Sequence, residues 1–171
     1  MATYEVPLLL ISLEDFANVM PLVEVEVAGQ RMKMVLDTGA SHTCMDRDRV
    51  KSFKVHPPSA DHAVMGIGGH RLSNFFCSLP TFQIGGLLLQ NYQVVAVRMR
   101  NVNRMLKKLG REPLGGLLGS DFLQKYHAVI SYEMSVLRLQ DETLFANIFF
   151  PCNSFCVGAA LRCNLYGVVK R

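Results

Sequence analysis

The chain has 171 residues, of which 50% are apolar and 19% are charged, and its formal net charge is +4 at pH 7. This length and apolar content suit one globular domain with a substantial core, and they exclude a disordered or low-complexity protein. The small positive surplus does not by itself indicate a protein that binds nucleic acid.

Short apolar segments separated by turn residues predict a mainly β fold of the barrel type. Valine and glutamate alternate from Val23 to Val27, which is the period of a half-buried strand. Gly29-Gln30 is predicted to turn this strand into the next one as a hairpin. The expected strands cover residues 6–13, 22–28, 31–36, 60–65, 71–79, 81–84, 92–99, 128–131 and 136–139, and the expected helices cover 102–109, ended by Gly110, and 120–126.

The strand expected at 31–36 stops abruptly at Asp37-Thr38-Gly39-Ala40-Ser41. Gly39 permits a tight turn and the close approach of another backbone or of a substrate. The hydroxyls of Thr38 and Ser41 can form hydrogen bonds that fix the direction of the Asp37 carboxylate. The segment is therefore a candidate catalytic loop, although Asp-Thr-Gly alone is equally compatible with an ordinary hairpin or helix-capping turn.

Two further segments provide context for this loop. Leu117-Leu118-Gly119 places two bulky apolar residues before a glycine and the start of the helix expected at 120–126. A glycine-rich run lies between the two motifs, and it consists of Met65, Gly66, Ile67, Gly68 and Gly69. Taken alone, this run is also compatible with a plain hairpin turn.

With these motifs in this order, the chain resembles the retropepsin-like aspartic proteases, the single-domain relatives of pepsin, and in particular their free-standing bacterial members. The resemblance covers about residues 21–139. It implies a mainly β, closed six-stranded-type acid protease barrel with one or two short helices, formed by residues 1–140. Residues 141–171 are then a C-terminal extension whose role is open.

The resemblance also implies roles for individual residues. Asp37 corresponds to the catalytic acid, and Thr38 corresponds to the residue whose hydroxyl bonds across to the partner's loop. Gly39, Ala40 and Ser41 complete the supporting loop. The remaining implied positions are Leu117, Leu118 and Gly119, which pack behind the loop, and residues 65–69, which form the flap that contacts substrate.

Peptide hydrolysis in this family needs two carboxylates that share one proton, because like charges about 3 Å apart do not both ionise. The chain contains a single Asp-Thr-Gly and no Asp-Ser-Gly. The implied active site is therefore a C2 homodimer in which each subunit contributes Asp37 and the substrate is a peptide or protein. No metal and no other cofactor are expected. The alternative is a retropepsin-fold module that binds peptides or dimerises without hydrolysing them.

The other polar residues have structural explanations. Asp121 is expected to cap a helix beginning near Phe122 rather than to catalyse. His42 is expected to be a surface or capping histidine. The remaining histidines and the five cysteines lack the spacing of metal ligands. The basic residues within 104–108 are compatible with nucleic-acid contact, but a solvated helix face is favoured because no aromatic or nucleic-acid motif accompanies them.

Both ends of the chain contain apolar segments, but neither segment has the pattern of a membrane span. Residues 6–11 lack a basic leader and predict a strand rather than an export signal. Pro151 and several polar residues interrupt the apolar C-terminal segment, so a packed or poorly ordered extension is favoured over a membrane hairpin or helix. The odd number of cysteines, without an export signal, indicates reduced thiols and a cytoplasmic location.

Overall fold

The computed structural model describes residues 2–13, 16–56 and 75–142. The described strands are β1 (Ala2–Pro7), β2 (Leu9–Leu13), β3 (Phe16–Val27), β4 (Gln30–Leu36), β5 (Cys44–Asp46), β6 (Lys54–His56), β7 (Phe75–Ile84), β8 (Leu87–Val97), β9 (Gly116–Leu118), β10 (Val129–Ser131) and β11 (Val136–Asp141). The described helices are α1 (Arg47–Val50), α2 (Arg100–Lys108) and α3 (Ser120–Lys125).

Six of the strands form a closed barrel. Hydrogen-bonded neighbours run in the order β3, β4, β9, β5, β8, β7, and β7 pairs back onto β3 to complete the ring. The closing pair is antiparallel and aligns Val25 with Ile84, whereas β4 and β9 pair in parallel. The prediction of a mainly β, closed six-stranded barrel with few helices is confirmed.

A smaller antiparallel sheet lies beside the barrel and has the order β1–β11–β10. Its register aligns Tyr4 with Leu139 and Ile130 with Leu137. Leu137 and Leu139 are fully buried, so this sheet shares the barrel's core. Strand β10 forms one edge of the sheet.

Alternation along the strands builds the core. Val23, Val25 and Val27 are buried while Glu24 between them is exposed, because successive side chains of a strand point to opposite faces. Four aromatic rings connect the barrel wall to α3, and neighbouring centroids lie 4.7 to 6.1 Å apart: Phe82 and Tyr92 on the strands, and Phe122 and Tyr126 on the helix and its C-cap. This cluster packs the helix that follows β9 against the barrel.

Most predicted elements are present, with shifted bounds. The strand expected at 6–13 is divided at Leu8 into β1 and β2, because β1 pairs with β11 in the smaller sheet and β2 pairs with β3 of the barrel sheet. The strands expected at 71–79 and 81–84 are one strand, β7; Pro80 between them is exposed and leaves no gap in the element. The strand expected at 60–65 lies outside the described residues.

Turns and short elements account for the other differences. The first hairpin turns at Ala28-Gly29 rather than at Gly29-Gln30, and both residues have positive φ, +48° and +80°. Gly110 ends α2 with a φ of +67°, as expected for a residue after a helix. Strands β5, β6 and β9 and helix α1 were not predicted, because three or four residues are too few to show a period.

Candidate active site

Asp37 is held where β4 leaves the barrel wall. Its backbone N–H donates to Leu118 O at 3.0 Å, which extends the parallel β4–β9 pairing by one bond beyond Leu36. Leu118 is fully buried in the core and Leu117 is half-buried. The two sequence motifs are therefore adjacent in space, and the second one forms the wall against which the first one ends.

The Asp37 carboxylate is half-buried and partly oriented by its own loop. The N–H of Gly39 donates to Asp37 Oδ1 at 2.9 Å, and the N–H of Ala40 donates to Asp37 O at 3.2 Å. A Cβ at position 39 would lie 3.3 Å from the same carboxylate oxygen, so glycine gives the carboxylate room at this turn. Within the described part of the chain, Oδ2 of Asp37 has no hydrogen bond. The described residues therefore leave this oxygen with unused acceptor capacity.

The loop after Asp37 is attached to the start of α3. The N–H of Ser120 donates to Ala40 O at 2.8 Å, and the Ser120 hydroxyl donates to Thr38 O at 2.7 Å. The Thr38 side chain is exposed, and Ser41 is exposed next to it with its Oγ 2.9 Å from Nδ1 of half-buried His42. The loop backbone is thus fixed while the side chains of Thr38 and Ser41 remain accessible.

Asp121 connects α3 to the segment that follows the loop. Its Oδ1 accepts three hydrogen bonds of 2.8 Å each, from the N–H and the hydroxyl of Thr43 and from the N–H of Phe122. The expected capping position is wrong: the N-cap is Gly119, and Asp121 lies in the first helical turn. The carboxylate reaches across to Thr43 instead, because a side chain in the first turn can point toward the neighbouring strand.

Thr43 is fully buried, and its hydroxyl both donates and accepts a hydrogen bond. Besides donating to Asp121, its hydroxyl accepts the N–H of Gly119 at 3.1 Å. The backbones of residues 119 and 42 are so close that a Cβ on Gly119 would lie 2.5 Å from the carbonyl carbon of His42. Glycine is therefore required at position 119 by backbone contact, and its φ of −94° is available to any residue.

Burial and negative charge keep the nearby thiol neutral. Burial, with smaller contributions from the charges of Asp121 and Asp37, raises the pKa of Cys44 to about 11. Burial likewise raises the pKa of Tyr92. Cys44 donates to His42 O through its Sγ at 3.3 Å. A protonated thiol is a poor nucleophile, so the chemistry available here is that of a carboxylate and not of a cysteine.

An open hollow of about 430 Å³ lies beside the loop, and its lining residues come from the loop, α3, β10 and the connection between α3 and β10: Thr38, Ser120, Leu123, Gln124, His127, Ala128 and Ile130. Beyond it, Val129, Tyr132 and Met134 are 50 to 67% exposed around the β10 edge. An apolar hollow and exposed apolar residues next to an edge strand are features of a surface that binds a partner.

The sequence did not reveal two of the residues that hold the loop, Thr43 and Ser120. Thr43 is a polar residue immediately before the apolar strand β5, and Ser120 follows the second motif directly. Neither position has a signal on its own, because their partners lie 78 and 82 positions away. The glycine-rich run at 65–69 lies outside the described residues.

Among the described residues, no group of three histidine, cysteine or acidic side chains is arranged to hold a metal ion. Two thiols in this part of the chain, Cys44 and Cys77, are buried and free. No described helix is long and apolar enough to cross a membrane.

The site is a loop of the aspartic-protease type. Its Asp-Thr-Gly follows a strand directly and is held by contacts with the Leu-Leu-Gly segment and with a short helix. The aspartyl protease family model matches residues 23–122, which include both motifs. The chain belongs to this family.

Three solved structures are similar to the chain at low identity. The protease of EIAV is 16% identical, with 66% of this chain and 92% of that chain covered and a TM-score of 0.47. A retropepsin-like aspartic protease from Rickettsia conorii is 14% identical, with 81% and 90% covered and a TM-score of 0.46. The retroviral protease-like domain of Ddi1 from Leishmania major is 14% identical, with 70% and 87% covered and a TM-score of 0.45. No curated protein matches the sequence.

Proposed function

We propose that the protein is an aspartic endopeptidase in which two Asp37 carboxylates, one from each subunit of a homodimer, activate a water molecule for peptide hydrolysis. The observation that carries this proposal is the half-buried Asp37 carboxylate, which has Oδ1 fixed by Gly39 N–H and Oδ2 without a described hydrogen bond. This carboxylate lies in the Asp-Thr-Gly turn within the part of the chain that the aspartyl protease family model matches.

The chemistry follows from pairing two such groups. Two carboxylates close together share one proton, so that one is ionised and the other is protonated. The ionised group accepts a proton from water as the oxygen attacks the scissile carbonyl carbon, and the protonated group donates its proton to the carbonyl oxygen. The resulting tetrahedral species collapses with protonation of the leaving amine. Neither a metal nor a covalent intermediate takes part in this scheme.

The surface beside the loop supports a dimer. The hollow next to Thr38 and the β10 edge are both open in the single chain, and a two-fold axis near Asp37 would cover them with their own copies. The exposed Thr38 hydroxyl would then reach the partner's loop. Among the described residues Asp37 is the one acid in an Asp-Thr-Gly turn, so a single chain lacks the second carboxylate.

The other assignments belong to the same proposal. Ala40 and Ser41 complete the loop, and Leu117, Leu118 and Gly119 form its packed support. The glycine-rich run at 65–69 would close over an extended peptide that adds as a strand above the loop. Residues 1–140 would form the protease domain, and residues 141–171 would form the extension.

The proposal is tested by exposing a diverse peptide mixture to the wild type and to Asp37→Asn and identifying the products by mass spectrometry between about pH 4 and 7. We expect cuts by the wild type and none by the variant. Asp48→Asn is the matched control, because Asp48 is an exposed acid within α1 that pairs with Arg100 at 3.8 Å. Equal activity of Asp37→Asn and the wild type would reject the assignment. Silence from a folded, dimeric wild type would favour the non-catalytic module.

Shared use of Asp37 is tested by mixing subunits. If chains pair at random, a ninefold excess of Asp37→Asn leaves about one in ten wild-type chains with a wild-type partner, so activity per wild-type chain should fall roughly tenfold. The same excess of Ile130→Arg, which alters the hollow, should not inhibit because it should not pair. Activity that scales only with the wild-type concentration in the presence of Asp37→Asn would show that each chain acts alone.

A further inference from the structure

Helix α2 exposes an apolar stripe on one side. Val102, Met105 and Leu109 are 43, 49 and 49% exposed, and their spacing of three and four residues places them in one row along the helix. A neighbouring face of the helix packs against the rest of the protein, where Leu106 is buried. On the same side, Asn103 Nδ2 donates to Asp46 Oδ2 at 3.0 Å and to Leu114 O at 3.1 Å. The stripe is therefore presented by a helix whose orientation is fixed.

The same helix and its neighbour α1 concentrate positive charge. Segments 47–51 and 98–112 contain nine lysines and arginines against two acids, a surplus of seven in a chain whose total is +4. Eight of these cations are exposed: Arg49, Lys51, Arg98, Arg100, Arg104, Lys107, Lys108 and Arg111. One of the two acids, Asp48, pairs with Arg100 at 3.8 Å, and the other, Glu112, pairs with Lys33 at 2.7 Å. The apolar stripe thus borders a strongly basic surface.

Charge decides what this surface can bind. The C-terminal segment 143–171 contains no Asp or Glu and three cations, so the basic surface would repel it. A second copy of α2 would be repelled for the same reason. Nucleic acid would satisfy the cations but would leave Val102, Met105 and Leu109 exposed to water. An anionic lipid surface accommodates both the cations and the apolar stripe.

We propose that α2 docks the protein onto the surface of a membrane rich in anionic lipids. Arg104 and Lys108 contact the phosphate region, and the apolar stripe enters the boundary between headgroups and acyl chains. The association is peripheral, with the helix lying along the membrane surface. Its strength falls as salt rises, because exposed charges are screened over about 10 Å at 0.1 M salt.

The absence of tryptophan from the chain allows a direct test. The full-length Met105→Trp variant carries one fluorescent indole in the stripe, and Leu88→Trp carries one at an equally exposed apolar position on β8, where Leu88 is 53% exposed. With vesicles that contain about 30% phosphatidylglycerol, we expect a blue shift for Met105→Trp only. No shift at position 105, or the same shift at both positions, would overturn the proposal.

Vesicle sedimentation separates the contribution of charge. Arg104→Gln with Lys108→Gln should weaken binding to these vesicles roughly tenfold or more. The matched control, Arg31→Gln with Lys125→Gln, removes two exposed cations elsewhere and should change binding much less. Equal losses in the two variants would show a non-specific effect of net charge and reject α2 as the docking element. Binding to heparin without binding to the vesicles would assign the surface to a soluble polyanion instead.

Discussion

Two strands of the barrel end in an aspartate, and the two residues differ in how their oxygens are used. Asp46, at the end of β5, is 6% exposed and accepts hydrogen bonds from Asn103 Nδ2 at 3.0 Å and from the N–H groups of Asp48 and Met99 at 3.4 Å. Asp37, after β4, is half-buried and accepts one bond from its own loop among the described residues. The first carboxylate ties two helices to the barrel, whereas the second retains the capacity to bind a ligand.

The backbone around both aspartates is firmly held. Near Asp37, the Ser120 hydroxyl donates to Thr38 O and the Gly119 N–H donates to the Thr43 hydroxyl. At Asp46, the backbone N–H donates to Gly115 O at 2.7 Å, and both carboxylate oxygens accept hydrogen bonds, chiefly from Asn103 and Met99. The difference between the two sites is therefore the acceptor capacity that the described residues leave on the Asp37 carboxylate, which is a property that a functional site needs.

The largest effect should come from Gly119→Ala, because the added Cβ would lie 2.5 Å from the carbonyl carbon of His42 and neither backbone can move freely. We expect a loss of at least ~3 kcal/mol in the free energy of unfolding, measured by denaturant titration. The control is Gly110→Ala, after the end of α2, where φ is +67° and the space is open. This variant should lose about 1 kcal/mol in the free energy of unfolding. Similar losses in the two variants would show that the close backbone contact at Gly119 contributes no more to stability than the open turn at Gly110.

Asp46→Ala should lower the free energy of unfolding by about 2 kcal/mol, because Asn103 Nδ2 loses an acceptor and the Met99 N–H, which is buried, loses its partner. Asp37→Ala should change it by less than about 0.5 kcal/mol, since one local bond is lost at a half-exposed position. Both values follow from urea denaturation. A greater loss for Asp37→Ala than for Asp46→Ala would reverse the structural assignment of the two carboxylates.

Thr43→Val should cost about 1 to 2 kcal/mol of unfolding free energy, because it removes the hydroxyl that donates to Asp121 and leaves the buried Gly119 N–H without an acceptor. Thr43→Ser retains the hydroxyl and should recover most of the loss. If valine and serine destabilise equally, the hydroxyl network does not support the loop and the cost arises from packing.

Alkaline pH should lower the free energy of unfolding through Cys44, the buried thiol near the Asp37 loop. The folded-state pKa is raised to about 11 from 9.0, so above about pH 9 the unfolded chain releases a proton that the folded chain keeps, and stability falls as pH rises. Between pH 8 and pH 10 this contribution is about 1 kcal/mol. The difference between wild type and Cys44→Ala, measured at both pH values, isolates it. A difference that does not change with pH would contradict the raised pKa.

The sequence allowed the prediction of features that depend on local pattern. Alternating valines indicated β3, the Asp37 loop stood out because it ends an apolar strand with a carboxylate, and Gly110 marked the end of α2. The hydrogen-bond donors around Asp46 were not predictable, because Asn103 is 57 positions away and an aspartate between a strand and a basic helix has the pattern of a surface residue. The Asp121–Thr43 bond was missed for the same reason.

The closed ring of strands also determines when the site can exist during synthesis and folding. The bond from the Ser120 hydroxyl to Thr38 O spans 82 positions, and the bonds from Thr43 to Asp121 span 78. Contacts so distant in sequence form slowly, because a long loop must close before any of their energy is gained. A nascent chain that ends shortly after Asp37 still lacks β9 and α3, so the carboxylate acquires its fixed orientation only after almost the whole barrel has been synthesised.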